Sequence, residues 1–393
     1  MRVCDRKRAA ELTRFLEELP PDVETVLGGY DDAVLSGIAA VYPSPGVYWD
    51  DPLLEEARRR GLTVSSELDL FFRLCPAPIV GITGTNGKTT TTNLVGRVLE
   101  RGSRPVLVGG NTGDTVLDRL EHVTPRHRVV LEISSQQLET IAEPATEVAV
   151  VTNVTGDHLD RHPTMDRYID IKARLPEHAL GWAILNGEDA VCRTFADRTR
   201  AEVVWFDRLP EQPINLPGAH NQANARAAAA VGQVLGVPEP AIRDAISTFE
   251  GVEHRIELIG EWSGVRWYND SIATNPVAAT TGLLAFAGVP LVLIAGGRGG
   301  GTDIAAWLAE VRRLTAAVVV VGESAPAIRA GLEGHQVVEA ADIRAAVARA
   351  AELARPGGAV LLSPAHKSFD MFQDFEDRGR QFKAAVRELH GDV

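Results

Sequence analysis

Cysteine is scarce: Cys4, Cys75 and Cys192 are the only three in 393 residues, and no two form a C-x-x-C pair. That count argues against a disulfide framework and for a reducing compartment. Positive charge is in deficit, with 40 Lys and Arg against 53 Asp and Glu and a net charge of −13. A broad nucleic-acid or anionic-membrane footprint needs the opposite balance, so any anionic ligand must be held by a local cluster. No run approaches membrane-spanning length, and the start MRVCDRKRAAELTRFLEEL carries no apolar segment of signal-peptide type. The cytoplasm is the expected address. Internal repeats and low-complexity segments are lacking too. At 45% hydrophobic and 24% charged residues the composition is that of an ordinary globular protein, and the length predicts about two to three domains.

What is present is a repeated alternation of short β-branched runs with helical stretches. PIVGIT (78–83), VVLEIS (129–134), EVAVVTN (147–153) and WAILN (182–186) form one series. VRWYND (265–270), LVLIAGG (291–297), AAVVVVG (316–322) and AVLLSP (359–364) form a second. Both predict α/β units on mostly parallel sheets, with a junction near residues 247–255. Residues 1–75 supply a strand or turn at RVCD, a helix over RAAELTRFLEEL and too few strands for a comfortable independent sheet.

The stretch GITGTNGKTTTTN (81–93) follows an apolar strand. It departs from the P-loop pattern G-x-x-x-x-G-K-[ST], because the position for the first glycine holds Ile82, and it is better written G-x-x-G-K-T over Gly84, Thr85, Asn86, Gly87, Lys88 and Thr89. Glycines let backbone N–H groups converge on phosphate, the following helix adds its positive end, Lys88 reaches the terminal phosphates, and Thr89 places a hydroxyl on Mg²⁺. Glu132 and His158 both sit at the C-terminal ends of strand patterns, where open α/β sheets bind ligands. A carboxylate and a neutral imidazole can ligate Mg²⁺ or Mn²⁺. Alone, His158 reads as readily as a turn histidine, Lys172 in DRYIDIKARL as a solvated lysine, and Asn221 or Asn224 in GAHNQANA as a helix cap. HRIE with WYNDSIATNP, and SPAHKSFDMFQDFEDRG, likewise have bland readings as turns and core connections.

Taken together and in order, TGTNGKTT, GGNTG, LEISSQQLET, TNVTGDHLDRH, the Lys172 segment, GAHNQANA, HRIE, NDSIATN and LLSPAHKSFDMFQDFEDRG resemble the Mur ligase family over nearly the whole chain. Within that family the motifs are most similar to the members that add glutamate to UDP-N-acetylmuramoyl-L-alanine. The resemblance implies three α/β domains: a remnant UDP-substrate domain over 1–75, a P-loop ATPase-type domain over 76–250 and a Rossmann-like amino-acid domain over 251–393. It implies ATP-dependent amide formation through an acyl phosphate in peptidoglycan precursor synthesis, with ATP and Mg²⁺ or Mn²⁺ as cofactors. UDP-N-acetylmuramoyl-L-alanine and an acidic amino acid are the implied substrates of a soluble monomer. Lys88, His158 and Lys172 fall on catalytic positions. Gly84 to Thr90, Asn221, Asn224, Arg255 and Asp270 fall on ATP contacts, and Thr89, Glu132, His158 and Lys172 on metal contacts. Lys172 also matches the lysine that the family converts to N6-carboxylysine. Asp5, with Lys7, approaches the uracil site; Asn111 and Asp157 match muramoyl contacts; Thr274, Ser368 and Phe375 match the glutamate pocket.

Three departures accompany the resemblance. RVCDRK resembles the second strand of the family's first domain, so the preceding β-α unit and its glycine-rich uridine loop have no counterpart. Ile272 stands where the family's N-D-S-K-A-T-N has lysine, and Gly300 where GGRGGGTD aligns with a second lysine. Arg298 or Lys367 can supply the missing charge. D-glutamate and L-glutamate both remain open as acceptor, as do a folylpolyglutamate synthase-like or secondary-metabolite ligase and a nucleotide-binding protein without ligase chemistry.

Overall fold

The computed structural model describes residues 1–17, 19–44, 47–111, 116–156, 164–216, 218–299 and 304–391. The chain forms two compact units, one of residues 1–212 and 223–246, the other of residues 213–222 and 247–393.

In the first unit, β1 (Arg2–Asp5) pairs in parallel with β2 (Glu24–Leu27), and β3 (Ala40–Val41) with β4 (Thr63–Val64). The main sheet comprises β5 (Ile79–Thr83), β6 (Val106–Gly110), β7 (Arg128–Glu132), β8 (Thr146–Val151), β9 (Ala179–Leu185) and β10 (Glu202–Trp205), in the order β10-β9-β8-β5-β7-β6. Every pairing is parallel. All five residues of β5 are buried, which is why this strand reads as a continuous apolar run rather than an alternating one. Gly81 has to lack a side chain here, since a Cβ would lie 2.9 Å from both Leu175 and Thr146.

The second unit carries β11 (Glu257–Trp262), β12 (Val265–Asn269), β13 (Leu291–Gly296), β14 (Ala317–Val321), β15 (Val337–Glu339) and β16 (Ala359–Leu362), ordered β11-β12-β16-β13-β14-β15. β11 is an antiparallel edge joined to β12 by Ser263-Gly264, both at positive φ (53° and 75°), as a tight two-residue hairpin requires. Tyr268 packs on one face of the sheet with Phe286 and Trp307, and Trp267 on the other with Phe382 and Val347. Alternation along β12 thus feeds two cores.

The helix expected over 8–19 is broken. A 3-10 turn, Ala9–Glu11, precedes a five-residue helix, Thr13–Glu17. Glu11 reaches back to the Arg8 N–H at 3.0 Å and closes the first turn; Phe15 is left exposed and Leu12 and Leu16 are only partly buried, so packing adds little to propagate so short a helix. All three cysteines are free. Among the described residues no helix is long and apolar enough to cross a membrane.

Candidate active site

The glycine loop joins β5 to the helix Lys88–Glu100. Gly84 has φ 147° and a Cβ there would fall 1.9 Å from Thr152 Oγ1; Gly87 has φ 81° and a Cβ would meet Asn224 Oδ1 at 2.4 Å. Both glycines are therefore required by left-handed backbone and by close approach. The loop is held from β8. Thr85 N donates to Asn153 O (2.8 Å) and Asn86 N to Asn153 Oδ1 (2.9 Å), while Thr152 Oγ1 donates to Asn86 O (2.6 Å). These bonds explain why β8 stops at Val151 although the sequence pattern runs to 153. Thr152 and Asn153 hold the cradle, and sequence reasoning gave neither a role, because a Thr-Asn pair after a strand reads as an ordinary turn.

Lys88 Nζ donates to Thr85 O at 2.8 Å, and Thr89 and Thr90 are buried in the first helical turn. Lys172, on the helix Met165–Glu177 as the sequence predicts, is buried at 1% exposure and not solvated. Its ammonium donates to Gly84 O at 2.9 Å and stands 4.8 Å from the Tyr168 ring centroid. The Tyr168 hydroxyl lies 3.1 Å from Thr85 Oγ1, so one helix braces the loop through two side chains. Glu132 closes β7 and is buried, with Asn111 Nδ2 donating to its Oε1 at 3.1 Å. Asn111 also lines a cavity of about 440 Å³ together with Tyr42, Ser44, Trp49, Ser134 and Gln137. Asp5, at the end of β1, accepts from Lys7 N at 2.7 Å on the surface. Asn221 and Asn224 occupy the first turns of the helix Ala219–Val234, and Asn224 Oδ1 accepts from Thr91 Oγ1 at 3.2 Å. Asp157, His158 and Gly300 lie outside the described residues.

In the second unit the polar residues gather at the C-terminal ends of β12, β13 and β16. Asp270 is buried, accepts from Ser363 Oγ at 2.8 Å, and is pushed up to about 7 by that burial, against the pull of Arg255, Ser363 and Arg378. Arg255 is near enough to act on Asp270 electrostatically and keeps a buried Nε with no hydrogen-bond partner. Arg378 is 1% exposed; its Nε and Nη2 donate to Ser271 Oγ and O (2.9 and 2.8 Å) and its Nη1 to His366 O (3.0 Å). Burial holds this guanidinium down to about 10. Ser271 Oγ in turn donates to Phe375 O at 2.8 Å. A single arginine thereby fixes the NDSIATN turn against the SPAHKS loop, a role sequence reasoning missed although Arg378 lies within SPAHKSFDMFQDFEDRG, because its partner Ser271 is 107 residues away. Ser368 is buried, Phe372 packs on the core and Phe369 is 57% exposed. Within the turn, Ile272 N donates to His254 O at 3.1 Å and Thr274 N to Ile272 O at 2.8 Å, so main-chain bonds hold the position where the family pattern has a lysine.

Comparison with known proteins gives this arrangement a lineage. The model of the Mur ligase middle domain matches residues 82–212, and that of the Mur ligase glutamate ligase domain residues 254–366. A UDP-N-acetylmuramoylalanine–D-glutamate ligase of Symbiobacterium thermophilum is 38% identical, covering 98% of this chain and 92% of its own. The chain belongs to the Mur ligase family. A second relative with the same name, from Anaeromyxobacter dehalogenans, is 40% identical over the same shares of both chains. Among solved structures, a MurF from Acinetobacter baumannii superposes with a TM-score of 0.61 at 18% identity, covering 98% of this chain and 93% of that one. At that identity the shared property is the three-domain family fold. The glycine loop, Lys172 and Glu132 all lie in the middle-domain match; Arg255, Asp270 and Arg298 lie in the glutamate ligase match.

Proposed function

We propose that this Mur ligase joins glutamate to UDP-N-acetylmuramoyl-L-alanine at the expense of ATP, in peptidoglycan precursor synthesis. The observation that carries the nucleotide half is the loop from Gly84 to Thr89, built around two positive-φ glycines and clamped by Thr152 and Asn153. A carboxylate is a poor electrophile until one oxygen becomes a good leaving group. The substrate carboxylate takes the γ-phosphoryl of ATP and ADP departs. The glutamate amine then attacks the acyl carbon, loses a proton, and inorganic phosphate leaves as the amide forms. Lys88 and the helix N-terminus behind it stabilise the charge on the phosphoryl in transit. The cavity beside Asn111 is our site for the muramoyl substrate.

Thr89, Glu132 and Lys172 fit a magnesium site in donor chemistry: a buried hydroxyl, a buried carboxylate and, once carbamylated, a second anionic oxygen group. When bound, Mg²⁺ supplies further charge neutralisation on the phosphates. Loss of a proton from the Lys172 ammonium and addition of CO2 to the amine would convert a buried cation beside Gly84 into an anionic carbamate able to serve as such a ligand. His158 and Asp157 belong to the same reading, as do Asn221, Asn224, Arg255 and Asp270 for ATP, Asp5 for the uracil and Thr274, Ser368 and Phe375 for glutamate. The cytoplasm, where ATP and nucleotide sugars reside, is the place for such an enzyme.

The test is ADP release with UDP-N-acetylmuramoyl-L-alanine and, in turn, D-Glu, L-Glu, D-Asp and L-Asp. Turnover with a glutamate isomer is the expected result and fixes its hand; no turnover with any of the four overturns the reading.

A further inference from the structure

Two cationic side chains of the second unit, Arg298 and Lys367, are brought side by side. Arg298 and Lys367 form an isolated antiparallel bridge, with Arg298 N donating to Lys367 O at 2.8 Å. Residues opposite one another in such a bridge carry their side chains on the same face, with Cβ atoms about 5 Å apart. Arg298 follows the end of β13 by two residues, and Lys367 follows β16 by five. Both stand at the sheet edge where Asp270 and Ser271 are assembled.

The approach is built, not incidental. Gly297 has φ 148° and a Cβ there would lie 2.3 Å from Lys367 O; Gly296 has φ 121° and a Cβ would lie 2.0 Å from Val321 O. On the other side Ala365 is held at φ 59°, a costly conformation for a residue with a Cβ. Two glycines and one strained alanine thus bring two cations together in a chain whose net charge is −13. Like charges so placed repel, and among the described residues neither side chain has an ion-pair or hydrogen-bond partner, although both are exposed. The acids on the adjoining turn and loop each hold a main-chain amide: Glu323 Oε2 accepts from Gly299 N (3.3 Å) and Asp370 Oδ2 from Glu323 N (3.1 Å), while Asp370 Oδ1 is buried without a hydrogen-bond partner. An anion from outside the chain would relieve the repulsion.

We propose that Arg298 and Lys367 together form a specificity-determining clamp for a carboxylate of the incoming amino acid. The guanidinium offers a two-pronged hydrogen-bonding edge and the ammonium a compact charge beside it. This assignment rests on the ligase reading above, and it names the residues that make an acidic acceptor the preferred one. Glutamate carries two carboxylates, so the acceptor analogues decide which is held: glutamine lacks the side-chain charge and glutamic acid α-amide the other.

The test measures ADP release by wild type, Arg298→Ala, Lys367→Ala and the double variant, with ATP and UDP-N-acetylmuramoyl-L-alanine saturating. Each exposed side chain can be truncated without touching the core. A charge-assisted hydrogen bond corresponds to roughly tenfold or more in affinity, so each single variant is expected to raise KM for glutamate about tenfold. The KM for ATP and kcat stay near their wild-type values. The preference for glutamate over one of the two amides falls by the same factor, and Arg298→Lys restores part of the loss. An unchanged glutamate KM, an undiminished preference over both amides, or a parallel rise in every KM overturns the clamp. A wild-type enzyme that turns over none of the amino acids overturns the ligase reading instead, so the two failures are distinct.

Discussion

Gly87 and Asn224 are packed so closely that a methyl group on the glycine would lie 2.4 Å from the asparagine Oδ1. The contact lets the glycine loop and the helix Ala219–Val234 share one polar seam, since the same Oδ1 accepts from Thr91 Oγ1. Gly87→Ala is expected to weaken ATP binding and to destabilise the protein by two separable effects. The left-handed φ costs about 1–2 kcal/mol whatever the space, and the clash adds to it. Asn224→Ala removes the clashing atom along with the Thr91 bond. In a double-mutant cycle followed by urea denaturation, the pair should therefore be less destabilised than the sum of the singles by about 1 kcal/mol. Strict additivity would show that Asn224 does not press on the loop.

Lys172 reaches the same loop from behind, through its bond to Gly84 O. Lys172→Met keeps most of the buried volume but removes the donor, leaving a buried carbonyl unpaired at a cost of about 1–3 kcal/mol. Thermal unfolding checks that loss. ADP release should fall by far more than the stability change explains, because the variant can neither position Gly84 nor carry the carbamate proposed above. A variant with near wild-type turnover would exclude Lys172 from the catalytic machinery.

Both β-α-β series were legible because their central strands are buried on both faces and read as apolar runs, as in IVGIT and AVVVV. The edge strands β6, β10, β11 and β15 were not. β6 ends in two glycines, β11 alternates around a register shift between Leu258 and Gly260, and neither pattern separates strand from loop without its neighbour. In the site, the loop glycines and Lys88 were legible since only those residues meet the backbone and charge requirements there. The partners that hold them, Thr152, Asn153, Tyr168 and Arg378, were not, because each acts across 60 or more residues of chain, with separations such as 67 and 107. Lys172 shows the same limit from the other direction: its local sequence predicts a solvated face, and only the fold of β5 beneath it buries the ammonium.

Asp270 gives the second unit a pH signature whose sign can be worked out. Burial raises its folded-state value to about 7 from an ordinary 3.8. Between those values the folded chain holds the proton and the unfolded chain has released it. Stability therefore falls as pH rises through this window and levels off above it, by on the order of 4 kcal/mol in all. Asp270→Asn keeps the shape and cannot ionise, so it lacks this slope. Urea midpoints for both proteins from about pH 4 to about pH 8 isolate the effect, since every other titrating group is common to the two. The wild type should lose stability relative to the variant as pH rises, most steeply below neutrality. A difference that is constant with pH would mean that Arg255 and Arg378 outweigh desolvation and keep Asp270 charged throughout. In that case its carboxylate serves as a permanent anion beside Arg255. If the slope is present, the site instead gains a full negative charge only as the pH approaches 7.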